Sequence, residues 1–111
     1  MAPMPNSCGG ITEAEFTSSV VALFQLYGWR VCHIRPARTA RGWRTAYEGH
    51  AGLPDIIAAR GGTTILAELK VGKGKPSADQ IEWLKASGSP VWRPEDWDTI
   101  LLVAREGDRR G

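Results

Sequence analysis

The sequence predicts an α/β domain, a central mixed sheet flanked by helices in the order α-β-β-β-α-β-α. Three observations carry that expectation. Phe16, Val20, Leu23, Phe24 and Tyr27 recur at helical spacing. Two apolar runs, Asp55–Ala59 and Thr64–Val71, flank Gly61-Gly62, the pattern of a β-hairpin. Ser77, followed three residues later by Gln80, then opens a second helical segment. With 111 residues, 42% hydrophobic and 23% charged, the chain has the size and composition of one ordinary globular domain.

Residues 1–10 contain Pro3, Pro5 and Gly9-Gly10 and lack the apolar stretch of a signal peptide, so they read as a loose tail. No apolar run is long enough to span a membrane, and a cytoplasmic location is expected. The first helix begins at Thr12, with Glu15 in the capping-box position, and runs to about Tyr27 before Gly28 stops it. Glu13 continues its apolar stripe one turn earlier, whereas Glu15 falls on the outer side with Ser18, Ser19 and Ala22.

Trp29 to Arg35 reads as the first strand, ended by Pro36. The segment from Arg30 to Tyr47 contains Arg30, Arg35, Arg38, Arg41 and Arg44, no acidic residue, and the aromatics Trp43 and Tyr47. The whole chain carries a formal charge of only +2, so the positive charge is concentrated here. Guanidinium groups pair with phosphates and aromatic rings stack on bases, which makes a flexible basic loop a DNA-contact candidate through Arg35, Arg38, Arg41 and Arg44. A solvated loop that only maintains solubility explains each single arginine equally well. Cys8 and Cys32 are too few, and too poorly spaced with His33 and His50, to form a zinc site, and free thiols are expected.

The hairpin holds the chemistry. Its period-2 pattern puts Thr64, Leu66, Glu68 and Lys70 on one face, and the turn brings Asp55 alongside Glu68. Asp after Pro is an ordinary turn residue, and a Glu and Lys two apart are ordinarily a solvated ion pair. Here Ile56, Ile57, Ile65, Leu66, Ala67 and Leu69 make both strands read as buried, and charges there need a reason. Two carboxylates held together repel unless a hard divalent cation lies between them, which points to magnesium or manganese. Such an ion polarises a phosphoryl oxygen and acidifies water, with a neighbouring lysine to orient that water: phosphodiester hydrolysis chemistry.

Pro54-Asp55 followed by Glu68-Leu69-Lys70 resembles the PD-(D/E)xK motif of restriction-endonuclease-like nucleases. The wider pattern of Gly52, Pro54-Asp55, Ala67-Glu68-Leu69-Lys70, Gly72, Lys75, Ser77, Gln80, Trp83 and Leu84 is similar to the VRR-NUC family, over roughly positions 11 to 100. That family includes small phage-type nucleases and the nuclease modules of DNA-repair enzymes. The resemblance implies a restriction-endonuclease-like core in which Asp55, Glu68 and the backbone carbonyl of Leu69 hold the metal and Lys70 orients the attacking water. It further assigns an additional metal carboxylate to Glu13, a role that a simple first-turn interaction with the helix dipole rivals. Gln80 is expected to position a ligand or the lysine, alongside its capping role.

After Lys70, the turn through Gly72, Lys73, Gly74, Lys75 and Pro76 is expected to be flexible and basic, with Lys73 and Lys75 available to DNA. Ile81 and Leu84 form the apolar side of the helix that Ser77 caps, with Trp83 beside them. Pro90 to Arg93 reads as a short strand and Pro94 to Ala104 as a closing helix with Trp97, Ile100, Leu101 and Ala104 inward. The connection from Leu84 to Pro90 is short for the family, as if a helical turn were missing. Residues 105–111 read as a polar tail, leaving 11–104 as one nuclease-like domain. His50 could contact a phosphate, His33 lines the sheet, and Glu48 stays in reserve.

Magnesium-dependent cleavage of DNA is therefore expected. One small protein carries one site, so a homodimer would suit duplex or branched DNA, and the resemblance favours four-way junctions or flaps. RNA cleavage is a substrate variant of the same chemistry. Small size points to a phage or mobile-element protein acting in a bacterial host. Two other classes stand beside the enzyme: a non-catalytic nucleic-acid-binding module on the same fold, and an assembly protein whose carboxylates hold a structural cation. The intact set of Asp55, Glu68 and Lys70 argues against both.

Overall fold

The computed structural model describes residues 10–34, 37–39, 42–44 and 48–107. The chain runs through α1 (Glu13–Leu26), β1 (Arg30–His33), β2 (Ala37–Thr39), β3 (Gly42–Arg44), β4 (Ile56–Arg60), β5 (Thr63–Leu69), α2 (Ala78–Ser87), β6 (Val91–Trp92) and α3 (Trp97–Glu106). A four-stranded sheet in the order β1-β4-β5-β6 forms the centre. β1, β4 and β5 are antiparallel neighbours and β6 joins β5 in parallel, so the sheet is mixed, as the α/β reading expects.

The helix α1 forms where its sequence says it should. Thr12 and Glu15 close a capping box: the Glu15 N–H donates to Thr12 Oγ1 at 3.1 Å and the Thr12 N–H to Glu15 Oε1 at 2.9 Å. Phe16, Val20, Leu23 and Phe24 are buried on its inner stripe, and Tyr27 packs at the margin. From the other side of the sequence, Ile100, Leu101, Val103 and Ala104 of α3 enter the same core. Ile56, Ala58, Ile65, Ala67 and Leu69 supply the sheet's contribution, so α1 and α3 lie on one face of it. Burying these side chains is the main driving force for the fold, about 1.5–3 kcal/mol for each large aliphatic or aromatic group.

Trp29 and Arg60 close the end of this core. The Trp29 indole N–H donates to the carbonyl of Ala104 at 2.8 Å, and the Arg60 guanidinium lies 4.8 Å from the centre of the Trp29 ring. Arg60 also donates to the carbonyls of Tyr27 (2.9 Å), Ala104 (3.2 Å) and Arg105 (3.2 Å). One cation therefore satisfies terminal carbonyls of both α1 and α3, where the negative ends of two helix dipoles meet.

Four local expectations change. The basic segment is not all loop: β2 and β3 pair antiparallel, with Arg38 opposite Trp43 and Thr39 opposite Gly42. Thr39 and Trp43 are strand formers, and that propensity was masked by the density of arginines. The closing helix is preceded by a 3₁₀ turn, Pro94–Asp96, and continues through Arg105 to Glu106 before Gly107 ends it. Helix α2 buries none of its residues, and Ile81 is 40% exposed while Trp83 and Leu84 are half-buried. It packs instead against the segment before β4, at His50 and Gly52. Finally, the turn after Lys70 is tethered, because Arg93 donates to the carbonyls of Gly72 (3.2 Å) and Gly74 (2.7 Å).

Candidate active site

The Gly61-Gly62 turn has positive φ at both glycines, 56° and 85°, which sets a tight hairpin between β4 and β5. Ile56 pairs with Ala67 and Ile57 with Leu66. Continuing that register by one residue sets Asp55 opposite Glu68, on the same face of the sheet. The Asp55 carbonyl accepts the Ile34 N–H at 2.8 Å, anchoring it to the β1 side. On the other side, the N–H groups of Glu68 and Lys70 donate to Pro90 and Trp92, each at 3.0 Å. The N–H groups of Glu68 and Lys70 are thus engaged by β6, beside β5's inner position in the sheet.

Asp55 is fixed through its side chain as well. Its Oδ2 accepts the backbone N–H of Leu69 at 3.0 Å. The residue that the extended register would place opposite Leu69 is Pro54, buried and without an N–H, so it cannot donate to the Leu69 carbonyl, while the Asp55 carboxylate takes the Leu69 N–H at the ladder's end.

Glu68 is the anomaly of the structure. It is 0% exposed, and neither carboxylate oxygen has a hydrogen-bond partner among the described residues. Lys70 Nζ stands 3.3 Å from its Oε2 as an ion pair, with the lysine side chain 17% exposed. Burial pushes the Glu68 carboxyl above the ordinary glutamate range, the Asp55 charge pushes it further, and the Lys70 ammonium opposes both. A fully buried carboxylate faced by one ammonium and next to a second carboxylate is a donor set suited to a hard divalent cation. The residues fit magnesium or manganese.

The segment leading into Asp55 is held by helix α2. Gly52 has φ +94°, and a Cβ there would lie 2.6 Å from the Asp79 carbonyl carbon and 2.7 Å from the Gln80 nitrogen. Only glycine permits this approach, so the backbone before Pro54-Asp55 rests directly on the first turn of α2. Gln80 sits in that turn, where its Oε1 accepts the Ser77 N–H at 2.8 Å and its own N–H donates to Ser77 Oγ at 3.2 Å. The capping role is present in full. One turn further, the Trp83 indole N–H donates to the carbonyl of exposed His50 at 3.2 Å.

The other candidate positions are more dispersed. Glu13 is exposed, and among the described residues no three of His, Cys, Asp and Glu gather as a metal-holding group, so Glu13 does not join Asp55 and Glu68. Its stripe is helical, but the packed part of α1 starts at Phe16. Lys73 and Lys75 are exposed on the tethered turn, and Glu48 is exposed. His33 is half-buried at the end of β1, opposite Ile56. Arg38 and Arg44 lie on β2 and β3, while Arg35, Arg41, Tyr47 and Cys8 fall outside the described residues. Cys32 is free and exposed. Sequence reasoning missed Arg93 as the tether of the turn after Lys70; an arginine beside a two-residue strand carries no periodic signal. Among the described residues, no helix is long and apolar enough to cross a membrane.

No family model matches the chain, and no curated protein matches it. Among solved structures, it is similar to Hjc of Archaeoglobus fulgidus, a Holliday junction resolvase from an archaeal hyperthermophile, at 22% identity and a TM-score of 0.44. That likeness covers 72% of this chain and 64% of Hjc, so the chain spans less than two thirds of that protein. The functional reading rests on the site itself.

Proposed function

We propose that the protein is a metal-dependent nuclease that hydrolyses DNA phosphodiester bonds. The observation that carries this reading is the fully buried Glu68 carboxylate, paired with Lys70 and across from Asp55. A site built only for stability would rarely retain that combination, since a buried charge costs several kcal/mol unless it is compensated. The motif resemblance to the VRR-NUC family supports the same reading.

Asp55 and Glu68, joined by the Leu69 carbonyl, would hold magnesium or manganese. The chemistry supplied there is polarisation of a phosphoryl oxygen and a lower pKa for water. The Leu69 N–H holds the Asp55 carboxylate in one orientation, so little reorganisation is needed when substrate arrives. Lys70 orients the attacking water and steadies negative charge on the phosphate. Lys73, Lys75 and the basic β2–β3 region receive the DNA backbone. Gln80 borders the site through the Gly52 contact and positions Lys70 or a phosphate. Two copies in a homodimer would address two strands, which favours branched DNA, four-way junctions or flaps.

The test is cleavage of a labelled panel comprising a four-way junction, a flap, linear duplex, single-stranded DNA and RNA, with magnesium, manganese or EDTA. The proposal expects metal-dependent cutting that Asp55→Asn abolishes while DNA binding persists. Binding without cutting on every panel member, indifferent to Asp55→Asn, would instead identify a binding module. Metal-driven change in oligomeric state without DNA binding would identify an assembly protein.

A further inference from the structure

We propose that the cavity between His50-Ala51 and helix α2 receives one unpaired nucleobase of the strand bound at Asp55 and Glu68. The inference rests on the nuclease reading and assigns that site a structural preference. The cavity measures about 380 Å³ and is lined by His50, Ala51, Asp79, Glu82, Trp83 and Ala86. That is the lower end of the ~300–1,000 Å³ typical of small-molecule sites, room for a planar base but not for duplex.

Its chemistry selects a base over a phosphate. Asp79 and Glu82 are the charged side chains at its wall, and among the described residues no lysine or arginine lines it. Carboxylates repel a phosphate but accept hydrogen bonds from the exocyclic amino groups of cytosine and from other donor edges. Trp83 supplies an aromatic surface, and its hydrogen bond to the His50 carbonyl ties the ring to the opposite wall. A base can enter such a pocket only when it is out of the stack, so nucleotides at a junction, flap or frayed end enter at the least cost.

The position suits the task. Gly52 packs on Asp79 and Gln80, so the pocket wall and the segment leading to Asp55 are in direct backbone contact. Ala51 precedes Asp55 by four residues, a reach of at most about 14 Å. At about 3.4 Å per nucleotide along a duplex strand, the pocketed base would lie within roughly four nucleotides of the scissile phosphate.

The test walks a single abasic nucleotide along a fluorescently labelled flap substrate and measures affinity by anisotropy, with calcium in place of magnesium. Wild type should bind about fivefold to a hundredfold more weakly at one abasic position, the range expected for one lost base–aromatic stack. In Ala86→Phe, which fills the cavity, that positional loss should vanish, with circular dichroism confirming the fold. A flat profile in wild type overturns the proposal, as does a positional loss that persists in Ala86→Phe. Cleavage of the intact flap with magnesium is read in parallel: cutting with a flat profile removes the pocket and leaves the nuclease, whereas a positional loss without any cutting keeps the pocket and removes the nuclease.

Discussion

Leu69 donates its backbone N–H to Oδ2 of Asp55 at 3.0 Å, joining the start of one strand to the middle residue of Glu68-Leu69-Lys70 on the next. One side chain thereby completes the sheet ladder and fixes a carboxylate beside the buried Glu68. Fold and site share this bond, so the geometry of Asp55 is set before any ligand arrives.

Lys70 compensates Glu68 in the free protein and is assigned the water and the transition-state charge. Lys70→Ala should reduce cleavage by about 10²–10³-fold, the usual effect of removing one electrostatic partner of the reaction. DNA affinity in calcium should fall much less. The variant should also be less stable than wild type at neutral pH and recover at acidic pH, where Glu68 is protonated; single-turnover kinetics and thermal unfolding at two pH values check both.

The pH dependence follows from the sign of the Glu68 shift. Its folded-state pKa is raised by burial and by Asp55, so between the ordinary glutamate value and that raised value the folded protein binds more protons than the unfolded chain. This group's contribution to metal-free stability must therefore decline as pH rises through that window. Denaturant unfolding in EDTA should show the decline in wild type and a flatter profile in Glu68→Gln.

Gly52 holds the loop before Asp55 against α2 at a backbone conformation that side chains rarely adopt. Gly52→Ala would force its Cβ to 2.6 Å from Asp79 and should cost at least about 1–3 kcal/mol. Because the strain falls on the segment that delivers Asp55, cleavage should fall further than the loss of stability explains. Activity measured well below the variant's melting temperature separates the two effects.

Arg93 ties down the carbonyls of Gly72 and Gly74. Arg93→Ala should speed amide exchange through residues 71–75, with a moderate loss of DNA affinity as Lys73 and Lys75 lose their fixed base. Hydrogen exchange by mass spectrometry reads the first effect and anisotropy the second.

The pairing at the site was legible because a two-residue turn sets its own register. Asp55 lies six residues before Gly61 and Glu68 six after Gly62, so locating the turn locates the pair. Both capping boxes and the buried stripe of α1 were legible for a similar reason, since each is a short-range pattern. Glu13 shows where such patterns stop: helical period tells which side of α1 faces the sheet, but not how far along the helix the packing extends. The placement of α2 and the reach of Arg93 depend on contacts between segments far apart in sequence, whereas the β2–β3 pair is local and its signal is hidden by the density of arginines. Gly52 was part of the motif, yet only its contact with Asp79 and Gln80 gives the physical reason for glycine there.

The central claim is that Asp55 and Glu68 together form a divalent-cation site. Calorimetric titration of manganese into the metal-free protein, repeated in two buffers of different ionisation heat, tests it most directly. Wild type should bind with proton release near the raised Glu68 pKa, because the cation requires the deprotonated carboxylate, and both Asp55→Asn and Glu68→Gln should weaken binding severely. No binding by wild type, or binding unchanged by Glu68→Gln, would contradict the account.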